Sequence, residues 1–281
     1  MNFSNIFLKI IENKKTPYLV LIPFSIFLIS PIILMLFTSF KGYEEIFRYP
    51  PTIFPQNPTL EAYIRVINSE AILGLRNSSI IAIGTTFFVL LAAVFSAYGL
   101  SRFKFKGRDK ILIFFLTTRI VPPISLLVPY YLLMNSLGLI NTYTGMIILY
   151  TYLSYPIIVW FLKAFFDEFP QDLIDSALID GCSRTGALFR VILPLSATAI
   201  AAAAIITFLW TWNEFLYAIV FTNSYDTHPI TVAIFLFVGD YVIEWNSMSA
   251  VGIFASLPTI FFFIFAQKYI IEGLTKGALK F

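Results

Sequence analysis

A chain of 281 residues that is 58% hydrophobic and only 12% charged is not an ordinary soluble domain, in which about a quarter of the residues carry charge. Its formal net charge of +3 is too small to argue for a nucleic-acid partner. One cysteine, Cys182, and one histidine, His228, exclude an internal disulfide and argue against a Cys- or His-ligated metal centre; Cys182 reads as a small packing residue.

Lys9, Lys14 and Lys15 precede the first apolar run. That run is longer than the roughly 7–15 residues of a signal-peptide core, and no clear small-residue cleavage site follows. The expectation is a cytoplasmic N-terminus over 1–16 and an uncleaved first span over 17–40. A bilayer core of about 30 Å needs about 20 apolar residues in a helix, and five further runs qualify: 77–101, 110–134, 142–166, 195–221 and 248–271. The predicted fold class is all-α, a polytopic membrane protein whose transmembrane domain, 17–281, has six transmembrane helices. Arg119 and the Pro122–Pro123 pair interrupt the third run and predict a kink, tolerable where neighbouring helices satisfy the freed backbone groups. Two connections are more than turns. The prolines of "YPPTIFPQNPTLEAY", within 41–76, predict a partly extended segment, and 222–247 is too polar at its ends to span.

Lysines and arginines fall unequally on the two sides of this layout. One side collects the N-terminal lysines, then Arg102, Lys104, Lys106, Arg108 and Lys110, then Lys163, Arg184 and Arg190, and finally Lys268, Lys276 and Lys280. The other holds only Lys41, Arg48, Arg65 and Arg76. The positive-inside rule places the first side in the cytoplasm, with both termini, and makes 222–247 an external loop.

Residues 167–194 then form a cytoplasmic loop of unusual make-up. Pro170 can open a helix, on which Leu173, Ile174, Ala177 and Leu178 share a face. Gly181 can end it in a left-handed conformation, and Ser183 can cap a second helix, on which Ala187, Leu188, Val191 and Ile192 again share a face. Pro194 leads into the fifth span. This helix–glycine–helix hairpin suits either a cytosolic partner or a lipid surface; periodicity does not choose.

The same stretch, "DSALIDGCSRTGALFRVILP", resembles the coupling-loop signature of ABC importer membrane subunits: EAA, three residues, G, nine residues, I, one residue, LP. Asp175-Ser176-Ala177 stands at EAA, Gly181 at the glycine, Val191 at the isoleucine, and Leu193-Pro194 closes the pattern. Asp for Glu, Ser for Ala and Val for Ile are the departures. "NPTLEAY", "NSSIIAIGTT", "SAYGLSRFKFKGRD", "LGLINTYTGMIILY", "IDGCSR", "TWNEFLYAIVFT" and "QKYIIEGLTKGALK" follow in order. Together they are similar to the six-span permease subunit of maltose-type carbohydrate importers. The resemblance implies a cytoplasmic coupling-helix hairpin docked on an ATPase subunit, with Asp175, Ser176, Ala177, Asp180, Gly181, Leu193 and Pro194 as coupling residues. It implies two copies of that ATPase subunit, which bind the ATP and Mg, a second homologous permease subunit, an extracellular or periplasmic solute-binding protein that meets 222–247, and a prokaryotic cell membrane. It also implies that the tail "GLTKGALKF" reaches toward the ATPase pair.

No Gly-Lys-Ser/Thr phosphate loop occurs in the chain, so ATP hydrolysis is assigned to separate subunits and the chain itself is expected not to be an enzyme, nor to carry a cofactor. Ionisable groups inside spans are costly and point to function. Arg119 and Glu214 can pair or can face a water-filled path, and Trp210 and Asn213 complete the set of candidate substrate-path residues. Trp212 and Tyr217 suit either a sugar path or an interfacial aromatic belt. An ion-coupled secondary transporter acting without an ATPase is the alternative; few ionisable groups in the spans weigh against it.

Overall fold

The computed structural model describes residues 16–239 and 242–278; residues 1–15 of the expected cytoplasmic segment 1–16 and the last three residues lie outside them. The described chain is helical. Helix α1 runs Thr16–Ser39, α2 Glu61–Ile67, α3 Leu73–Arg102, α4 Arg108–Thr117, α5 Leu127–Ser136, α6 Tyr143–Asp167, α7 Gln171–Ile179, α8 Arg184–Ala187, α9 Ala197–Asn213, α10 Leu216–Phe221 and α11 Trp245–Ala278. Among the described residues four helices are long and apolar enough to cross a membrane, or five if a bent pair around α9 is one span.

Two predicted spans are not single helices. The third is broken. α4 stops at Thr117, a turn carries Arg119, Pro122 is extended (ψ 131°), and a 3-10 turn over Pro123–Leu126 leads into α5. A proline cannot donate to the ladder and disfavours helix in the residue before it, so the Pro122–Pro123 pair produces a break rather than a kink. The fifth parts at Glu214, whose extended backbone (ψ 132°) separates α9 from α10.

The contacts divide the chain into two units. In the first, residues up to 69 together with 237–254, Tyr63 Oη lies 2.7 Å from Ser39 Oγ and its ring meets Phe254 edge-on. Arg65 pairs with Glu244 at 2.9 Å and with Glu61 at 3.1 Å. α1 is apolar all round and exposed along most of its length, as a helix facing lipid must be.

In the second unit, residues 70–236 with those from 255 onward, α3 lies along α6 and α9 lies against both. The seam is made by residues four apart: Thr85, Val89, Ala93 and Ala97 on α3, and Ala199, Ala203 and Thr207 on α9, all buried. Small side chains at one-turn spacing let helix backbones approach closely where lipid offers no hydrophobic drive. Larger residues of α6, Val159, Leu162 and Phe166, fill the layer between them.

Candidate functional site

The hairpin 167–194 is assembled from local signals. α7 begins at Gln171 with Pro170 as the residue before its first turn, not as that turn's first member. It ends in a Schellman motif. The Gly181 amide donates to the Leu178 carbonyl (3.1 Å) and the Cys182 amide to the Ala177 carbonyl (2.9 Å), an arrangement that requires a left-handed residue between them. Gly181 supplies it with φ +84°. Ser183 then caps α8, its hydroxyl accepting the Gly186 amide at 3.0 Å. The helix continues through a π-turn over Leu188–Ile192 and Leu193–Leu195, and meets α9 with a bend of 78°.

One face of the hairpin belongs to the bundle. Ile174, Ala177, Ala187, Leu188 and Ile192 are buried in the same cluster as Val159, Leu162 and Phe166 of α6 and Ala199 and Ala203 of α9. The other face is open. Asp175, Ser176, Asp180, Gly181 and Pro194 are exposed, Leu193 is half-buried, and Ile179 at the tip is 86% exposed. Two expectations are corrected. Leu173 is exposed rather than on the inner face, because the packed stripe of α7 is the narrower one through Ile174 and Ala177. Ala177, expected to touch a partner, is 7% exposed and packs the hairpin onto the bundle.

The base of the hairpin is tied to α3 and α6 by polar groups. Arg102 donates to the Phe166 carbonyl and to the Phe169 carbonyl (3.1 Å). Ser101 Oγ donates to Asp167 at 2.6 Å, which also pairs with Lys163 at 2.6 Å. Tyr98 Oη donates to the Arg184 carbonyl at 2.9 Å, and the Arg184 guanidinium lies 5.1 Å over the Phe103 ring.

The four candidate path residues do not form one site. Arg119 and Glu214 do not pair. Arg119 Nη1 donates to the Leu153 carbonyl at 2.8 Å and its guanidinium lies 6.0 Å from the Trp210 ring centre. Glu214 accepts from Tyr150 Oη at 2.5 Å and from the amides of Tyr217 (3.0 Å) and Ala218 (3.2 Å). A carboxylate on the first free amides of a helix is a cap, so Glu214, half-buried, starts α10. Asn213 is exposed but bonds back to the Leu209 carbonyl of its own helix. Trp212 and Tyr217 are buried, not at a belt: Trp212 Nε1 donates to the Ala255 carbonyl at 3.0 Å and Tyr217 Oη to the Pro123 carbonyl at 3.1 Å.

At the end of the unit opposite the hairpin, sequence reasoning missed two asparagines. Asn141, at φ +58°, accepts through Oδ1 from the amides of Asn223 (2.9 Å) and Ser224 (3.2 Å) and from the Thr227 hydroxyl. Asn77, fully buried, donates to the carbonyls of Tyr225 (3.0 Å) and His228 (2.9 Å) and accepts from Tyr143 Oη at 2.7 Å. Together they fix the first part of 222–247. The signal for Asn141 lay in "LGLINTYTG": Gly138, at φ +66°, closes a second Schellman motif (Leu139 amide to Met134 carbonyl, 2.9 Å), and an asparagine three residues later tolerates a left-handed backbone. His228 Nδ1 lies 2.8 Å from Thr222 Oγ1, and burial lowers its pKa below the usual 6.5. Among the described residues no three His, Cys, Asp or Glu side chains gather where they could hold a metal.

Comparison with known proteins gives this arrangement its context. Residues 89–276 match the family described as binding-protein-dependent transport system inner membrane component. The chain is 37% identical over 251 residues to the sulfoquinovosyl glycerol transport system permease protein SmoH of Agrobacterium fabrum, covering 89% of this chain and 88% of that one. It is 36% identical over 260 residues to the trehalose/maltose transport system permease protein MalG of Thermococcus litoralis, covering 91% and 93%. Among solved structures, a chain of a bacterial ABC transporter involved in the import of the acidic polysaccharide alginate superposes with a TM-score of 0.81 at 19% identity, over 96% of this chain and 98% of that one.

Proposed function

The chain belongs to the family of binding-protein-dependent transport system inner membrane components, multi-pass permease subunits of ABC importers and not enzymes themselves, and from that premise we propose that it carries a carbohydrate or sugar derivative across a prokaryotic cell membrane. The relatives' names support the substrate class: sulfoquinovosyl glycerol, trehalose/maltose and, for a further relative in Bacillus subtilis 31% identical over 260 residues, arabinooligosaccharides. The ion-coupled alternative finds no support among these relatives.

In this reading the broken third and fifth segments count as spans, giving six, and the hairpin and both termini face the cytoplasm. The hairpin docks on an ATPase subunit through Asp175, Ser176, Asp180 and Gly181, with Leu193-Pro194 joining it to α9. A homologous permease subunit, two copies of the ATPase subunit binding ATP and Mg, and a solute-binding protein on the far side complete the machine. A solved structure of a bacterial alginate ABC transporter in complex with alginate pentasaccharide-bound periplasmic protein, a chain of which is similar in fold (TM-score 0.68), is in keeping with that last partner.

The observation that carries the coupling role is the two-faced hairpin. Its inner residues are part of the bundle's core, and its outer face leaves Ile179 86% exposed beside three aspartates. A hairpin built to lie on lipid would turn its apolar face outward. Closure of ATPase subunits is a rigid-body motion, and a knob locked to α3, α6 and α9 converts it into movement of those helices. The test is site-directed crosslinking from cysteine at position 179, with Cys182 replaced by alanine, in the assembled transporter. Crosslinks to the ATPase subunit that change with ATP and vanadate are expected; labelling only by a lipid-phase reagent throughout the cycle would sink the docking role.

A further inference from the structure

We infer that the cleft around Arg119 is a subsite for one anionic substituent (a carboxylate, sulfonate or phosphate) on the transported solute. The inference deepens the importer reading and rests on it.

Arg119 stands in the break between α4 and α5, in mid-segment, and is exposed in this chain. A guanidinium has five N–H donors and is never deprotonated. Among the described residues its one hydrogen bond uses Nη1, to Leu153, and no carboxylate lies within ion-pairing distance of it. Glu214, the acidic residue expected to pair with it, spends its oxygens on Tyr150 and the start of α10. A permanent cation in an apolar span, its remaining donors open, is costly unless it faces water or an anion. It therefore faces the path rather than lipid.

The shape of the cleft limits the occupant. It encloses about 60 Å³, lined by Thr118, Arg119, Pro123, Tyr130, Tyr152 and Tyr217 among others. That space takes ordered water or one acidic group beside the guanidinium. Tyr217 gives its hydroxyl to Pro123, whereas Tyr152 is 50% exposed with its ring edge-on to Tyr130 at 5.8 Å, forming a flat wall beside the guanidinium. The planar fork of arginine matches two oxygens of one oxyanion. A neutral hydroxyl needs no fixed charge.

A structural role, pinning the Leu153 carbonyl three residues before the helix-interrupting Pro156, needs one donor only. Glutamine at 119 removes the charge and is too short to reach Leu153, whereas Arg119→Lys keeps the charge, so an acid-over-neutral preference that survives in lysine and vanishes in glutamine separates the two roles. The experiment uses the assembled transporter in nanodiscs, with Cys182→Ala and a reporter cysteine replacing Tyr152, or in a second preparation replacing Thr118. The rate of thiol labelling is followed in sodium glucuronate, in glucose, and in sodium chloride at matched concentration. Glucuronate is expected to slow labelling about tenfold more than glucose, on the scale of a charge-assisted hydrogen-bonded pair, and Arg119→Gln, but not Arg119→Lys, to erase the difference. Equal protection by both sugars, protection by neither, or a preference that survives Arg119→Gln or vanishes equally in Arg119→Lys overturns the subsite. Nanodiscs with and without phosphatidylglycerol separate the sources of the anion: protection by the anionic lipid, with none added by glucuronate, assigns the cleft to a headgroup and overturns it too. ATPase activity stimulated by the binding protein is read in the same samples. Its absence removes the importer reading itself, whereas stimulated ATPase without an acid-over-neutral preference removes the subsite alone.

Discussion

Replacement of Gly181 tests the hairpin at the point where its geometry is least forgiving. The residue sits at φ +84° and a Cβ added there meets nothing within 4 Å, so the cost of a side chain is purely conformational. For an ordinary L-residue a left-handed backbone costs about 1–2 kcal/mol, a factor of about 5–30 in the equilibrium of the turn. Asparagine tolerates it better and a β-branched residue worse. The series Gly181→Asn, →Ala, →Val should therefore lose ATP-driven uptake in that order. Asparagine is expected to stay within about twofold of the parent, alanine to fall by about the factor just given, and valine to be inactive, while all three insert in the membrane normally. Hydrogen exchange at the Gly181 and Cys182 amides, which make the two Schellman bonds, reports whether the turn has opened. Uptake by Gly181→Val at the parent rate, with those amides still protected, would refute the reasoning from conformation to coupling.

Three further outcomes follow from bonds already described. Arg102→Ala leaves the Phe166 and Phe169 carbonyls without their charged donor; a loss of about 1.5–3 kcal/mol should appear as a lower Tm and faster exchange across 169–173. Asn77→Ala strands two loop carbonyls and the Tyr143 hydroxyl and should cost about 1–3 kcal/mol, with 222–230 exchanging faster, whereas exposed Asn213→Ala should stay within about 0.5 kcal/mol of the parent. His228 has its pKa lowered by burial, so the folded loop binds fewer protons than the unfolded chain between that lowered value and the ordinary 6.5. Loop stability should hold above about pH 6.5 and fall as pH drops through this window. Exchange of 222–230 measured from pH 7.5 to 5 checks it, and a loop equally protected throughout, or one that tightens on acidification, contradicts the burial of a neutral ring.

What the sequence disclosed was what short-range chemistry decides. Gly181, Ser183 and the 3.6-residue spacing of Ile174 and Ala177 act within a few positions of one another, and each element they predict is present. The proline pair at 122–123 likewise announced trouble in the third segment, though a break rather than a kink resulted. The capping role of Glu214 was not legible because its partner Tyr150 lies 64 residues away on another helix, and because a carboxylate between two apolar runs reads equally well as a path residue or as a cap. Trp212 and Tyr217 were ambiguous for a related reason. An aromatic near a span end sits at the lipid interface or inside, according to which helix face meets a neighbour, and low-amphipathicity helices do not reveal their faces. Asn141 went unnoticed because a loop asparagine is ordinary until the four groups converging on its oxygen are seen.

The buried side of the hairpin bears on how a push would travel. Peeling it from the bundle would expose Ile174, Leu188 and Ile192, each 3% exposed or less, at about 1.5–3 kcal/mol apiece, roughly 5–9 kcal/mol before the Arg102 and Tyr98 bonds are broken. Sliding it would be little cheaper, because close-packed interiors have discrete arrangements and do not deform continuously. The softer coordinates lie elsewhere. The break at Thr118–Pro122 has no continuous ladder, and the 78° corner before α9 turns at Ser196 beside an exposed Pro194. In the docking proposed above, a force at Ile179 would move α3, α6 and the start of α9 together and leave relative motion to the segment that carries Arg119. The Arg119 guanidinium is held by the Leu153 carbonyl of α6 and lies over the Trp210 ring of α9, so a displacement of those two helices would reach the cleft directly.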